Sequence, residues 1–404
     1  MQLIYKTSLH PNEPLSIYPN GKVNLSKTNV SFDLSIGGLP GKNTCKARCE
    51  QCFLAIDLGS NGKKDSKRNI NDRISKEKVI LQDLKQQGYS VCPIIPDSFA
   101  WDGKYLESGI LYQNTLYGAD ELSATGIAWT SGLTLLGDDK NRLLELAYDN
   151  NLRLIGISSH DIEDGETPLK GVVKPSVVRK VLKNIHEYNH THPEKKLEIS
   201  LGFTIGTHNL LRIWEYVAYA AAVGADYVRF NRLLDVSCND HFSDLVLTAE
   251  ETRIFFMEMH EIEQTSFDVL TKLVQMKKEF ISPEMNPNIN VVISNDFGFK
   301  GEALLGKSGL INRCAGGTSH FGILANTIYP CVELVKTGFK IGELVLEDRA
   351  KVEGELGVSI GADKQKVYTP VFDVEMVERM QKVLNASEYN GCLAHSHLMY
   401  VDKV

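Results

Sequence analysis

No apolar run in the chain approaches the roughly 18 residues that a membrane-crossing helix needs, so nothing in it reads as a membrane span. A dense lysine and arginine block is also missing, and with a formal net charge of −7 this argues against a nucleic-acid-binding surface as the main function. The nearest approach, Lys63 to Arg68, reads as a solvated loop. The opening residues lack the basic, apolar and small-residue pattern of a secretory signal, so the expected location is the cytoplasm, with thiols reduced. Only 8 cysteines occur in 404 residues, too few for a disulfide-built scaffold of this size. With 43% hydrophobic and 24% charged residues, the chain can bury one sizeable core and a smaller second one.

Three of those cysteines stand within one short stretch, Cys45, Cys49 and Cys52, after the glycine-rich lead-in Gly37-Gly-Leu-Pro-Gly41. Ahead of them Val30 to Ile36 alternates apolar and polar residues as a strand does, so the thiols occupy a strand-to-loop junction. Spaced Cys-x3-Cys-x2-Cys, three thiolates on one compact loop can hold three irons of a cubic 4Fe–4S cluster and leave the fourth open to a non-protein ligand. A structural zinc site wants four ligands, and no Cys-x2-Cys or His-x3-His pair follows for roughly the next hundred residues. A coincidental group of inert thiols is the remaining alternative.

The spacing resembles that of the radical S-adenosylmethionine (SAM) superfamily, whose members let SAM chelate the unique iron. The aromatic residue usual before the third cysteine is absent: Gln51 stands there and Phe53 follows the cysteine, so Phe53 is expected to pack near the adenine.

Strand and helix patterns alternate from residue 30 to about 235. Strands are expected at 30–36, 89–95, 125–130, 152–158, 197–205 and 227–231, and helices at 75–87, 140–150, 175–188 and 210–223. A polar linker is expected over 61–72. Six such strands argue for parallel β/α units. Periodicity does not separate a doubly wound sheet from a barrel; the resemblance does, and implies an α/β fold with a partial (β/α)6 barrel over residues 30–300. In β/α barrels the loops at the carboxyl ends of the strands build the site.

The resemblance then assigns cofactor contacts. Gly202, Thr204 and Gly206, in Gly-Phe-Thr-Ile-Gly, are similar to the family's Gly-x-Ile-x-Gly adenine motif on the fifth strand. Ser158 ends the fourth strand as a contact to ribose or methionine carboxylate, or simply as part of a cap. Arg229 and Asn231 share one face of the sixth strand and point toward cofactor or substrate by the period of two. The family's Gly-Gly-Glu motif after the second strand is missing, and Asp97 or Ser98 fills that slot as a contact to the SAM amine.

In the carboxyl-terminal third, Cys314 and Cys331 bracket a hairpin with its turn at Ala325-Asn326, similar to the opening of the SPASM and twitch domains that carry auxiliary iron–sulfur clusters. A small α+β auxiliary-cluster domain over 301–404 is therefore implied, with residues 1–29 as an amino-terminal extension or hairpin that helps close the barrel. Cys392 is the natural third ligand, and Cys238, His395, His397 or substrate the fourth. Alternatively, Cys238 or Cys392 is a free thiol that donates a hydrogen atom to a carbon radical. Cys92, inside an apolar strand, reads as inert.

What the resemblance implies is hydrogen abstraction by a 5′-deoxyadenosyl radical from a ribosomally made precursor peptide, ending in Cα epimerisation, backbone excision or cross-linking. The alternative is dehydrogenation of a small-molecule alcohol, and a third class is a cluster-bearing structural or electron-transfer protein that binds iron and never cleaves SAM. Expected partners are the peptide, a leader-binding protein if the barrel rim does not serve, and an electron donor such as flavodoxin or ferredoxin.

Overall fold

The computed structural model describes residues 3–5, 15–24, 30–35, 47, 49, 67–94, 97–99, 103, 106, 126–233, 243–265, 271–273, 275, 278–294, 320–331, 334, 339–361 and 364–384. All six expected strands are present among them, as β2 (Ser31–Ser35), β3 (Ser90–Ile94), β4 (Ile127–Thr130), β5 (Leu154–Ser158), β6 (Glu198–Ile205) and β7 (Tyr227–Arg232). Two more, β1 (Leu3–Tyr5) and β8 (Asn290–Ile293), extend the parallel set, and the first sheet runs β1-β8-β7-β6-β5-β4. It is a parallel half-barrel whose strands are joined by helices.

Helix α1 (Lys67–Gln86) connects β2 to β3, and the helices joining the half-barrel strands are α2 (Lys140–Asp149), α3 (Pro175–Thr191), α4 (Ile213–Ala222) and α5 (Ala249–Gln264). One face of the half-barrel is continuous with them: Ile155, Ile157, Ile199, Leu201, Phe203, Ile205, Val228, Phe230, Val291 and Ile293 are fully or almost fully buried in one large core. Helical stripes such as Phe255, Phe256, Met259 and Ile262 on α5 complete it. A capping box between Thr248 and Glu251 starts that helix. The linker expected over 61–72 is shorter than its composition implies, because α1 begins at Lys67; its first turns are charged and lack the apolar period that marks Ile74 to Leu84 as core.

The second sheet runs β12-β11-β10-β9-β2-β3, with β9 (His320–Leu324), β10 (Thr327–Tyr329), β11 (Gly342–Asp348) and β12 (Lys366–Phe372). The expected hairpin is there, turning at Ala325, whose φ is 57°. Its first strand lies parallel to β2 over five residue pairs, so this part of the carboxyl-terminal third continues the sheet of the first barrel strand. The sheets therefore do not divide at residues 29 and 300. Residues 3–5 pair with β8, while Gly21 accepts a hydrogen bond from Phe372 and Lys22 is buried between Glu347 and Glu355, beside β12 and α6 (Arg349–Leu356). A last helix, α7 (Val374–Leu384), follows β12.

The two sheets meet where β3 and β4 end. Ser98 N–H donates to the Trp129 carbonyl at 2.7 Å, and the Asp97 carboxylate accepts from the hydroxyls of Thr130 at 2.9 Å and Ser131 at 3.0 Å and from Phe99 N–H at 3.1 Å. Hydrogen bonds donated to one carboxylate thus fasten the seam.

Candidate functional site

Alternation along β4 to β8 sends the residues between those core positions to the opposite, inner face. There the register aligns Trp129 with Gly156, Gly156 with Ser200, and Ser200 with Tyr227. One step nearer the carboxyl ends it aligns Ser158 with Gly202 and Gly202 with Arg229. Thr204 and Asn231 form the next pair. A small apolar cluster of Ile127, Leu154, Tyr227 and Val292, with Trp129 against it, lies mostly toward the strand beginnings. Polar and glycine residues take over toward the ends, where Ser158 is exposed and Thr204, Arg229 and Asn231 are half-buried. An inner face that changes from apolar to polar in this direction is what a ligand site at the carboxyl rim needs.

Glycines on this face have distinct causes. A Cβ on Gly156 would lie 2.3 Å from the Trp129 ring, and one on Gly206 would lie 2.5 Å from the Leu245 carbonyl, so the protein itself requires both. A Cβ on Gly202 meets nothing nearer than 3.7 Å, the Asn231 amide and the Ile157 carbonyl. A glycine inside a strand costs about 0.5–1 kcal/mol relative to alanine. Here no protein atom lies close enough to require it.

Arg229 Nε donates to Asn231 Oδ1 at 2.8 Å, and its guanidinium carbon sits 4.8 Å from the centre of the Trp129 ring. The turn after β6 braces itself: Asn209 Oδ1 accepts from Gly206 N–H at 2.9 Å and its Nδ2 donates to the Thr204 carbonyl at 3.0 Å. His208 on that turn and His160 after β5 both have their pKa lowered, first by burial. His160 is pushed down to about 4, with the nearby His208 adding to the effect, so both rings are neutral near pH 7.

Of the cysteine loop, Cys49 is described. Its Sγ lies 3.6 Å from the Gly171 carbonyl, on the connection from β5 to α3, the one that begins beside Ser158. Cys331 is buried just after β10, in the large core. Cys45, Cys52, Phe53, Cys238, Cys314, Cys392, His395 and His397 lie outside the described residues.

Asp97 and Ser98, the residues expected to contact the SAM amine, lie at the junction of the two sheets. Each is 1% exposed and engaged in the seam, and burial, opposed by those hydrogen bonds, raises the Asp97 pKa. Residues the sequence reading missed are Trp129, Gly156, Asn209 and His208. A glycine within the apolar run Leu152 to Ser158 was the one available signal, since such a glycine marks a bulge or a close approach.

Fold and inner face together define an α/β half-barrel protein with its polar site at the carboxyl ends of parallel strands. No protein-family model and no curated protein sequence matches the chain. Among solved structures it is similar to SuiB of Streptococcus suis bound to precursor peptide SuiA, at 13% identity and a TM-score of 0.47, over 78% of this chain. The chain spans 62% of that protein's length. It is similar also to anSMEcpe with bound AdoMet, at 16% identity and a TM-score of 0.45, over 78% of this chain and 74% of that one. A third is TsrM from Kitasatospora setae, a radical S-adenosylmethionine methyltransferase with cobalamin and a 4Fe–4S cluster bound, at 11% identity and a TM-score of 0.30, over 52% of this chain and 37% of that one.

Proposed function

We propose that the chain is a radical SAM enzyme acting on a ribosomally made precursor peptide. The observation that supports the reading is the glycine at 202 on the polar inner face, where an added Cβ would meet nothing nearer than 3.7 Å, with the Cys49 thiol against Gly171 on the connection that follows β5. Three thiolates, Cys45, Cys49 and Cys52, form a donor set suited to a cluster with one open iron. When bound, that cluster and SAM supply one-electron cleavage of a sulfonium and, through it, hydrogen abstraction from an unactivated C–H bond.

The chain's own part is binding and exclusion. Gly202 lets the adenosyl group approach the backbone of β6, and Gly206 holds the turn that follows. Ser158 and Thr204 offer hydroxyls at the rim, and Phe53 packs beside the adenine. Arg229 and Asn231 face the ligand from β7. Cys314, Cys331 and Cys392 would hold an auxiliary cluster, which would supply the electron acceptor that backbone excision or cross-linking needs; if they hold none, Cys238 or Cys392 is left to donate a hydrogen atom, as epimerisation requires. A flavodoxin or ferredoxin supplies the reducing electron.

Iron and sulfide content after anaerobic reconstitution tests this, comparing wild type with the Cys45/Cys49/Cys52→Ala and Cys314/Cys331/Cys392→Ala triples. About eight irons, falling to about four in each triple, is the expected result for two cubic clusters. Deoxyadenosine formation, stimulated by precursor peptides and not by small alcohols, is the matching activity. Iron content unaffected by the first triple would sink the reading.

A further inference from the structure

Among the described residues, no carboxylate pairs with the guanidinium of Arg229. Its Nε is committed to Asn231 at 2.8 Å, and one face is stacked 4.8 Å from the centre of the Trp129 ring. Trp129 is itself fixed from behind, because its ring occupies the place a side chain at position 156 would need. The Nε–H and one face of the guanidinium are thereby engaged, and the two terminal nitrogens are left as a pair of donors. Such a pair matches both oxygens of one carboxylate.

The position of this fork is informative. Arg229 stands directly across from Gly202 in the register, and a Cβ added at that glycine would meet only the Asn231 amide and the Ile157 carbonyl, both at 3.7 Å. A half-buried cation with a rigid seat and no internal counterion is costly unless an anion completes it. Surface arginines avoid that cost in water; this one lies on the inner face of the half-barrel.

The geometry points to a carboxylate-binding subsite formed by Arg229, Asn231 and Trp129 beside Gly202, which takes an acidic group of the ligand. Two sources share this chemistry: an acidic side chain or terminus of the substrate, and the carboxylate of SAM. The inference rests on the reading of the site as one for SAM and a peptide, and deepens it.

Glutarate and its neutral counterpart glutaramide, titrated calorimetrically into the full chain, test the subsite without iron or turnover. SAM and decarboxylated SAM, titrated into the reconstituted holoprotein, identify the source. Wild type is expected to prefer the acid of the first pair by about tenfold, as a charge-assisted bidentate contact supplies. Arg229→Gln is expected to abolish the preference, and Arg229→Lys, with a point charge in place of a fork, to keep only part of it. If the SAM pair loses its discrimination in Arg229→Gln as well, the cofactor is the source; if that pair is unaffected, the substrate is.

Asn231→Asp guards against a misfolded variant. It builds a counterion into the site, so the fold should be kept while the preference for glutarate disappears. Ratios equal in wild type and Arg229→Gln for both pairs of probes overturn the subsite. Loss of iron binding or of deoxyadenosine formation bears on the enzyme reading alone, since the glutarate titration needs neither.

Discussion

The indole of Trp129 lies over the backbone of Gly156 so closely that a Cβ on the glycine would be 2.3 Å from the ring. Gly156→Ala must push the indole off its seat, and with it the guanidinium of Arg229. Overpacking of this kind costs about 1–3 kcal/mol, to be read from the urea midpoint at unchanged m-value. A variant as stable as wild type would mean that the ring is not held there.

Gly202→Ala is the informative contrast. Since nothing lies within 3.7 Å of the added methyl, the substitution should be neutral or stabilising by up to about 1 kcal/mol. In the proposed site it should nevertheless weaken SAM binding about tenfold or more, because the methyl would stand where the cofactor is proposed to approach β6. Equal SAM affinity in this variant would return Gly202 to a purely structural role.

Asp97 gathers donors from Phe99, Thr130 and Ser131 at the junction of the two sheets. Asp97→Ala leaves two buried hydroxyls without their acceptor and is expected to cost about 2–4 kcal/mol. Asp97→Asn, which retains one oxygen, should recover part of it. Chemical denaturation of the two variants side by side checks the order.

How much of this was legible in the sequence differs by element. The six strands and their direction were, because alternating or wholly apolar segments separated by helical stripes leave few other solutions. The hairpin at Ala325-Asn326 was visible for its turn chemistry. Its attachment to β2 was not, since pairing between distant segments leaves no local trace. Asp97 illustrates the same limit at the site: a carboxylate after a strand looks available until the strand beside it supplies two hydroxyls. That Arg229 and Asn231 share a face follows from the period of two, whereas Trp129 and Gly156, which give the arginine its seat, are partners across the sheet.

Acid stability offers a further check, through His160. Its pKa falls from 6.5 to about 4 on folding, chiefly through burial. Between those values the unfolded chain takes up a proton that the folded chain refuses. The contribution is therefore complete above pH 6.5 and is lost as the pH falls toward 4, to the extent of about 3 kcal/mol. His160→Gln should flatten the stability curve over this range, and parallel curves for the two proteins would contradict the assignment.

The pairing of β2 with β9 also bears on how the chain reaches this state. Ser31 and His320, opposite each other in that ladder and joined by a 2.7 Å hydrogen bond, are 289 residues apart in sequence. Among the described residues, strand β1 likewise pairs with β8 alone. Early segments emerging from the ribosome must therefore wait for partners made much later, with loop-closure entropy slowing the search. During that interval β2 presents an unpaired edge, and cysteines next to it are in the chain before the second sheet can form. Synthesis speed and chaperone cover, more than equilibrium stability, should then govern the yield of folded protein.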